Sequence, residues 1–295
     1  MKVLVTGGTG FIGGHLVGAL MERGHQVITL STRAEGPEGT EHHQLDITSP
    51  EATALAGRVE AIAHLAGLSN ASLSFANPLL FNRVNALGTL AVLEGARQAG
   101  ARVVFASSQR VYRPSLQAIP ESGLLEPQDP YGYSKLCSES WMDMYARFYH
   151  LPTVCLRFFS VFGPGLKVAS GTSGVAGIFV GRALRGEPLT VHAHQRRDLT
   201  YVSDVVQGIL LALEKAVAPG SCYNVATGVG TSMEEFAHLV CKLTHSHSTV
   251  TIEDSESFGH LVADISRARD ELDYSPRIDL VEGLESYIAW YRANS

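Results

Sequence analysis

Tyr131 and Lys135, within PYGYSK (130–135), stand four residues apart. Pro130, after Asp129, is tolerated where a helix begins, so the two side chains share one helix face. A free tyrosine titrates at about 10 and is a poor acid or base at neutral pH. A nearby ammonium favours the phenolate, and each unit of downward shift needs about 1.4 kcal/mol. Ser108, with Ser107, closes the apolar run RVVFASS. A hydroxyl there can donate to a substrate oxygen while Tyr131 moves the proton. Such a trio suits oxidation or reduction at a carbinol carbon, given a hydride carrier. Y-x-x-x-K alone is a common chance match, and Tyr133 lacks a lysine at the same spacing.

The carrier is read from TGGTGFIGG (6–14), which follows MKVLV. KVLVTG reads as a buried strand and HLVGALMERG as the helix behind it, the context in which a glycine loop binds a dinucleotide. Gly7, Gly10 and Gly13 are spaced G-x-x-G-x-x-G. Gly7 can turn with positive φ, Gly10 leaves room for a pyrophosphate, and Gly13 lets helix and strand approach closely. The helix N-terminus then faces the phosphate. The next strand, QVITLS, runs into Thr32 and Arg33 with no carboxylate to bond an adenosine ribose diol. Ser31 does not repel a 2′-phosphate and Arg33 can pair with it, so NADP(H) is favoured over NAD(H), which stays open. Asp46, followed by Ile47, sits where a carboxylate can accept from an adenine amino group.

These residues need a scaffold. Short apolar runs (AIAHLAG, RVVFASS, TVCLRFFSVFG) alternate with helical stretches such as FNRVNALGTLAVLEGARQAG. That alternation predicts an α/β fold: a Rossmann-type doubly wound parallel sheet. After Phe162 the texture changes. VAGIFVGRALRG, SMEEFAHLVCKLTH and DLVEGLESYIAWYRANS read as helices, and LTVHA as a strand. The expected organisation is a dinucleotide-binding domain over 1–160, with 195–218 returning to it. A smaller, interleaved C-terminal substrate-binding domain then takes mainly 161–194 and 219–295. The net charge of −6 and the lack of a long basic run argue against nucleic acid. No apolar stretch reaches the roughly 18 residues of a membrane span. Four dispersed cysteines without C-x-x-C suit reduced thiols in a cytoplasmic protein. His192 with His194, and His245 with His247 and Cys241, have metal-ligand chemistry, but spacing alone is weak and no metal is expected.

The motifs TGGTGFIG, LDIT, HLAG, NALGT, SSQRVY, PYGYSK, LRFFSVFGPG, RRDLTYVSDVV, YNVATG and ADISRARDELDYSPRIDLVEGL span nearly the whole chain. In that order they resemble the extended short-chain dehydrogenase/reductases, the NAD(P)-dependent epimerase/dehydratase family acting on nucleotide sugars. The resemblance implies a cofactor loop of Gly7, Gly10, Phe11, Ile12 and Gly13, and an adenine-contacting pair, Asp46 and Ile47. Leu65, Ala66 and Gly67 would line the cofactor, and Asn85 would support the architecture. Ser108, Tyr131 and Lys135 match the catalytic trio, with Tyr131 and Lys135 also reaching the cofactor. Arg197 matches an arginine that grips the substrate's diphosphate. A homodimer is implied through helices near 82–99 and 131–149, with Trp141 and Met144 as candidate contacts.

Departures from the family pattern bear on the reaction. Ser160 replaces the usual Asn before G-P-G, and VHAHQRRD replaces a glycine-rich turn. Gln109 and Arg110 stand where dehydratases carry Asp-Glu, and neither can do that elimination chemistry. Ser108, Gln109, Ser160 and Arg197 are thus the expected substrate contacts. The main expectation is NADPH-dependent reduction of an NDP-4-keto-6-deoxy sugar. The alternative is an NDP-sugar 4-epimerase with tightly bound NAD. A dehydratase or a non-catalytic NAD(P)-binding regulator weighs less.

Overall fold

A computed structural model describes residues 1–167, 174–254 and 259–294. Seven strands build the central sheet: β1 (Lys2–Thr6), β2 (Gln26–Ser31), β3 (Glu41–Gln44), β4 (Ala61–His64), β5 (Arg102–Ser108), β6 (Thr153–Phe158) and β11 (Ser221–Val225). Their order is β11-β6-β5-β4-β1-β2-β3, and every neighbouring pair is parallel. The order reverses between β1 and β4, so a crevice opens beyond their carboxyl ends.

Alternate side chains of each strand enter two cores. Val3 and Val5 pack with α1 (Phe11–Glu22) and α8 (Val202–Glu214). Leu4 packs with α2 (Pro50–Ala56), α5 (Gly88–Ala99) and α6 (Pro130–Tyr149) on the other face. This two-sided burial is why the strands read as unbroken apolar runs.

A third core holds the remaining elements around Phe162, Phe179, Phe236 and Tyr287. It is built by α7 (Val175–Leu184), α9 (Met233–Thr244) and α11 (Leu280–Ala293) with short strand pairs. β7 (Val161–Phe162) pairs with β10 (Thr200–Tyr201), β8 (Leu189–His192) with β13 (Val250–Glu253), and β9 (Arg196–Asp198) with β12 (Gly230–Ser232). A capping box of Ser232 and Glu235 starts α9. The short α10 (Ser266–Leu272) packs on β11 and α8.

Three elements differ from the sequence reading. Ser221–Val225, expected in the second domain, pairs with β6 in the central sheet. TVCLRFFSVFG is two strands, because Phe159 N–H turns to Val225 O and the Ser160 carbonyl to Thr200 N–H. The long helix around residues 81–100 is interrupted. Helices α3 (Ala71–Ala76) and α4 (Pro78–Phe81) lead into a π turn over Asn82–Leu87 before α5. There Gly88 N–H reaches Arg83 O, while Thr89 Oγ1 and Ser138 Oγ donate to the Asn85 carbonyl at 2.6 and 3.2 Å.

Candidate active site

A cavity of about 1170 Å³ lies over the crevice. It exceeds the roughly 300–1,000 Å³ of a pocket for one small molecule, and so has room for two ligands. The glycine loop, the segment after β4, the end of β5, the start of α6 and residues of the third-core layer all line it.

The loop is shaped for an anion. Gly7 has φ +72°, and a Cβ there would lie 2.9 Å from Ala66 N. A Cβ on Gly13 would lie 2.2 Å from Gly7 O, so Gly13 closes the helix onto the loop itself. Gly10 caps α1 without any side-chain hydrogen bond, and no acidic residue occupies its first turn. The first N–H groups therefore remain available to a phosphate.

Ser108, Tyr131 and Lys135, the expected catalytic trio, converge at the cavity. Asp129 caps α6 by accepting from Gly132 N–H at 2.7 Å, and Ser74 Oγ accepts from Tyr131 N–H at 3.1 Å. These contacts fix the first turn, and Tyr131 and Lys135 are both buried one turn apart. The Tyr131 hydroxyl faces Ser108, which favours its ionised form. Lys135 Nζ donates to Ala106 O at 2.8 Å and sits 4.7 Å from the Phe105 ring centroid. Burial pushes Tyr131 above its ordinary value, outweighing the influence of Ser108 and the Arg110 charge. The lowering expected from Lys135, whose ammonium donates to Ala106 O, does not offset that burial. Lys135 itself is brought down to about 8 by burial, opposed by Glu139.

A buried polar line carries the segment after β4. Thr89 Oγ1 donates to Asn85 O, so it accepts from His64 Nε2 at 3.0 Å. His64 Nδ1 then accepts from Thr6 Oγ1 at 2.7 Å, and Thr6 Oγ1 accepts from Ala66 N–H at 3.1 Å. This fixes the Nε2–H tautomer. Burial holds His64 down at about 3, so it is neutral at physiological pH. Asn85 clasps both polar groups of Leu68, at 2.8 and 3.0 Å, and donates to Ser134 Oγ at 2.8 Å. Behind the trio, Ser107 donates to Glu139, which forms a buried ion pair with Arg157 at 2.6 Å.

On the far wall, Gln109 Nε2 donates to Ser160 Oγ at 3.1 Å, and Gln109 Oε1 is buried without a partner. Arg197 is half-buried and lies beyond salt-bridge reach of any carboxylate among the described residues. Burial and the Arg110 charge bring it down to about 10, which leaves it cationic at neutral pH.

The profile of the NAD-dependent epimerase/dehydratase family matches residues 3–226. The chain belongs to that family. Among its relatives is a putative UDP-glucose 4-epimerase of Methanocaldococcus jannaschii, 31% identical over 99% of each chain. Two solved structures cover all of this chain. One is the UDP-glucose 4-epimerase of Thermotoga maritima with UDP-glucose (29% identity, 99% of its chain, TM-score 0.91). The other is the Thermus thermophilus UDP-glucose 4-epimerase complex with NAD (30% identity, 100% of its chain, TM-score 0.90).

Of the site positions expected from the sequence, Gly7, Gly10, Phe11, Ile12, Gly13, Arg33, Leu65 and Gly67 line the cavity. So do Ser108, Gln109, Tyr131, Lys135, Ser160 and Arg197. Ser31, Asp46, Ile47 and Ala66 stand off its wall. Ser31 Oγ accepts from Arg33 N–H at 3.1 Å, and Asp46 Oδ1 from Thr48 N–H at 2.8 Å. Ile47 is buried, where a Cβ on Gly88 would meet it at 2.7 Å. His64, Thr6, Thr89 and Ser134 escaped the sequence reading. The one signal was a histidine closing the otherwise apolar strand AIAH. Trp141 and Met144 pack against the second core, whereas Leu87, Phe148 and Tyr149 are exposed on the same helical segments. Among the described residues no three metal-ligating side chains come together, and no helix is long and apolar enough to cross a membrane.

Proposed function

We propose that this chain is a nucleoside-diphosphate-sugar 4-epimerase that retains NAD(H). The relatives' names move the epimerase reading ahead of the reductase first expected from Arg33. The observation that carries it is the convergence of Ser108, Tyr131 and Lys135 beside the glycine loop, in a cavity with no carboxylate on its described wall. Elimination of water needs a second acid/base of the carboxylate type. Inversion at one carbon needs only Tyr131.

The glycine loop, the open first turn of α1 and the Lys135 ammonium fit a nicotinamide dinucleotide. Bound there, it supplies a reversible store for hydride. Ser108 holds the sugar oxygen. Tyr131 takes the hydroxyl proton as its carbon gives up hydride, and returns a proton to that oxygen when hydride comes back to the other face. The outward step needs the Tyr131 phenolate, whereas burial favours the protonated form, which serves the return step. Arg197 suits the diphosphate as a forked cation. The polar line from Thr6 to Asn85 keeps the segment around Gly67 in register with Lys135. A Cβ on Gly67 would lie 2.9 Å from Asn85 Oδ1 and 3.4 Å from Lys135 Nζ.

A second reading, an NADPH-dependent ketoreductase, is favoured by Arg33. It lines the cavity, its Nη1 donates to Thr9 O at 3.0 Å, and among the described residues no Asp or Glu shares that wall. Asp46 and Ile47 are proposed as the adenine neighbours in either case. A homodimer is proposed through the segments near 82–99 and 131–149, with Leu87, Phe148 and Tyr149 as the contacting apolar groups. The nucleotide released when purified protein is denatured tests the cofactor reading. Stoichiometric NAD(H) is expected. No nucleotide on the purified protein, with tight binding of added NADPH, would replace the epimerase by the reductase.

A further inference from the structure

The cavity wall has one sign of charge. Among its described residues Arg33, Arg110, Lys135, Lys167 and Arg197 line it and no Asp or Glu does, in a chain of net charge −6. A cleft lined by one sign selects ligands of the other. In the reading above Lys135 serves the cofactor and Arg197 the diphosphate, and Arg33 lies at the expected adenosine end, away from Tyr131. Arg110 has no such task.

Arg110 lies on the 3₁₀ turn Gln109–Val111, two residues beyond Ser108. Its charge acts on both Tyr131 and Arg197. It is therefore close to where a sugar ring must lie with its reacting carbon at Tyr131 and its diphosphate at Arg197. Arg110 Nη1 meets Asp129 Oδ2 at 3.2 Å, and Asp129 is not on the cavity wall. Among the described residues this is the hydrogen bond its guanidinium makes, so most of the fork is uncommitted. Beside it, Gln109 Oε1 is buried and unpartnered, with its amide nitrogen fixed on Ser160. A buried acceptor left unpaired is costly, and a hydroxyl donor would satisfy it. A forked cation next to a fixed acceptor matches a planar carboxylate with a hydroxyl beside it.

We propose that Arg110 and Gln109 form a subsite for a carboxylate on the sugar ring, so that the substrate is a nucleoside-diphosphate hexuronate. This rests on the nucleotide-sugar reading above and narrows it. Gln109 Oε1 accepts from a ring hydroxyl, and Arg110 pairs with the carboxylate while Asp129 braces it from behind.

The test is calorimetric binding of UDP-glucuronate and UDP-glucose in the Tyr131→Phe background, which binds without turnover. The uronate is expected to bind at least about tenfold more tightly, the weight of one hydrogen bond to a charged group. Arg110→Gln should bring the ratio close to one, and Arg110→Lys, which keeps the charge without the fork, should leave it between. Equal affinities before substitution, or a ratio that survives Arg110→Gln, would overturn the subsite. So would Arg110→Gln weakening both sugars alike, since that marks a brace for Asp129 only. If neither sugar nor UDP binds, the nucleotide-sugar reading itself falls and takes the subsite with it.

Discussion

Two glycines of one helix should respond in opposite ways to the same methyl group. In Gly13→Ala the new Cβ would sit 2.2 Å from Gly7 O, 2.9 Å from Gly8 Cα and 3.0 Å from Gly7 C, where ordinary contact begins at 3.4 Å. All three atoms are backbone, so no rotamer can relieve the overlap. Either α1 backs away from β1 or the loop opens. Overpacking of this kind costs about 1–3 kcal/mol, and rigid neighbours place it near the top of that range. At roughly 2–4 °C per kcal/mol, the melting temperature should fall by about 5–10 °C. The displaced atoms are those proposed to cradle the pyrophosphate, so cofactor affinity should fall at least about tenfold, for which 1.4 kcal/mol suffices. Gly18 also lies in α1, exposed, with nothing within 4 Å of a built Cβ. Gly18→Ala should gain up to about 1 kcal/mol from helix propensity. Thermal melts and a fluorescence titration with NAD(H) read both. Gly13→Ala with unchanged melting and affinity would refute the close-approach argument, as would an equal loss in Gly18→Ala.

Tyr131→Phe should lose about 10²–10⁴ of turnover, the usual weight of general acid–base catalysis, while still binding substrate in calorimetry. Asn85→Ala removes the bonds to Leu68 N–H, Leu68 O and Ser134 Oγ; urea unfolding should show a loss of about 2–3 kcal/mol at about 1 kcal/mol per bond. His64 is held near 3 in the folded protein against an ordinary 6.5. Its contribution is thus complete above pH 6.5 and lost as pH falls towards 3. At about 1.4 kcal/mol per unit, stability should drop by about 2 kcal/mol between pH 6.5 and 5 on this account. Urea unfolding at both pH values should show a flatter slope in His64→Gln, and an imidazole resonance that titrates near 6.5 would contradict the assignment.

Local pattern sufficed for the sheet, the glycine loop and the trio. Each is written in contiguous residues: apolar runs, three spaced glycines, and a Tyr and Lys one helical turn apart behind a capping Asp. What escaped depends on contacts between distant residues. The π turn forms because Asn85 reaches Leu68 and Ser134 while Thr89 and Ser138 take its carbonyl. Asn85 and Ser134 are 49 residues apart. The His64 line joins positions 58 and 25 residues apart. The raised titration of Tyr131 comes from its burial in the packed fold, which the spacing of Tyr131 and Lys135 does not carry. Trp141 and Met144 turn to the core because α6 lays one face on β5 and β6, leaving Phe148 and Tyr149 outside.

A 4-epimerase, as proposed for this chain, returns hydride to the carbon it came from. Its most direct test is NMR of the C4 configuration after purified protein meets UDP-glucose and UDP-glucuronate separately, with no cofactor added. One or both are expected to convert to the C4 epimer over many turnovers, with total sugar nucleotide conserved. No conversion of either, together with stoichiometric consumption of added NADPH by a keto-sugar nucleotide, would contradict it.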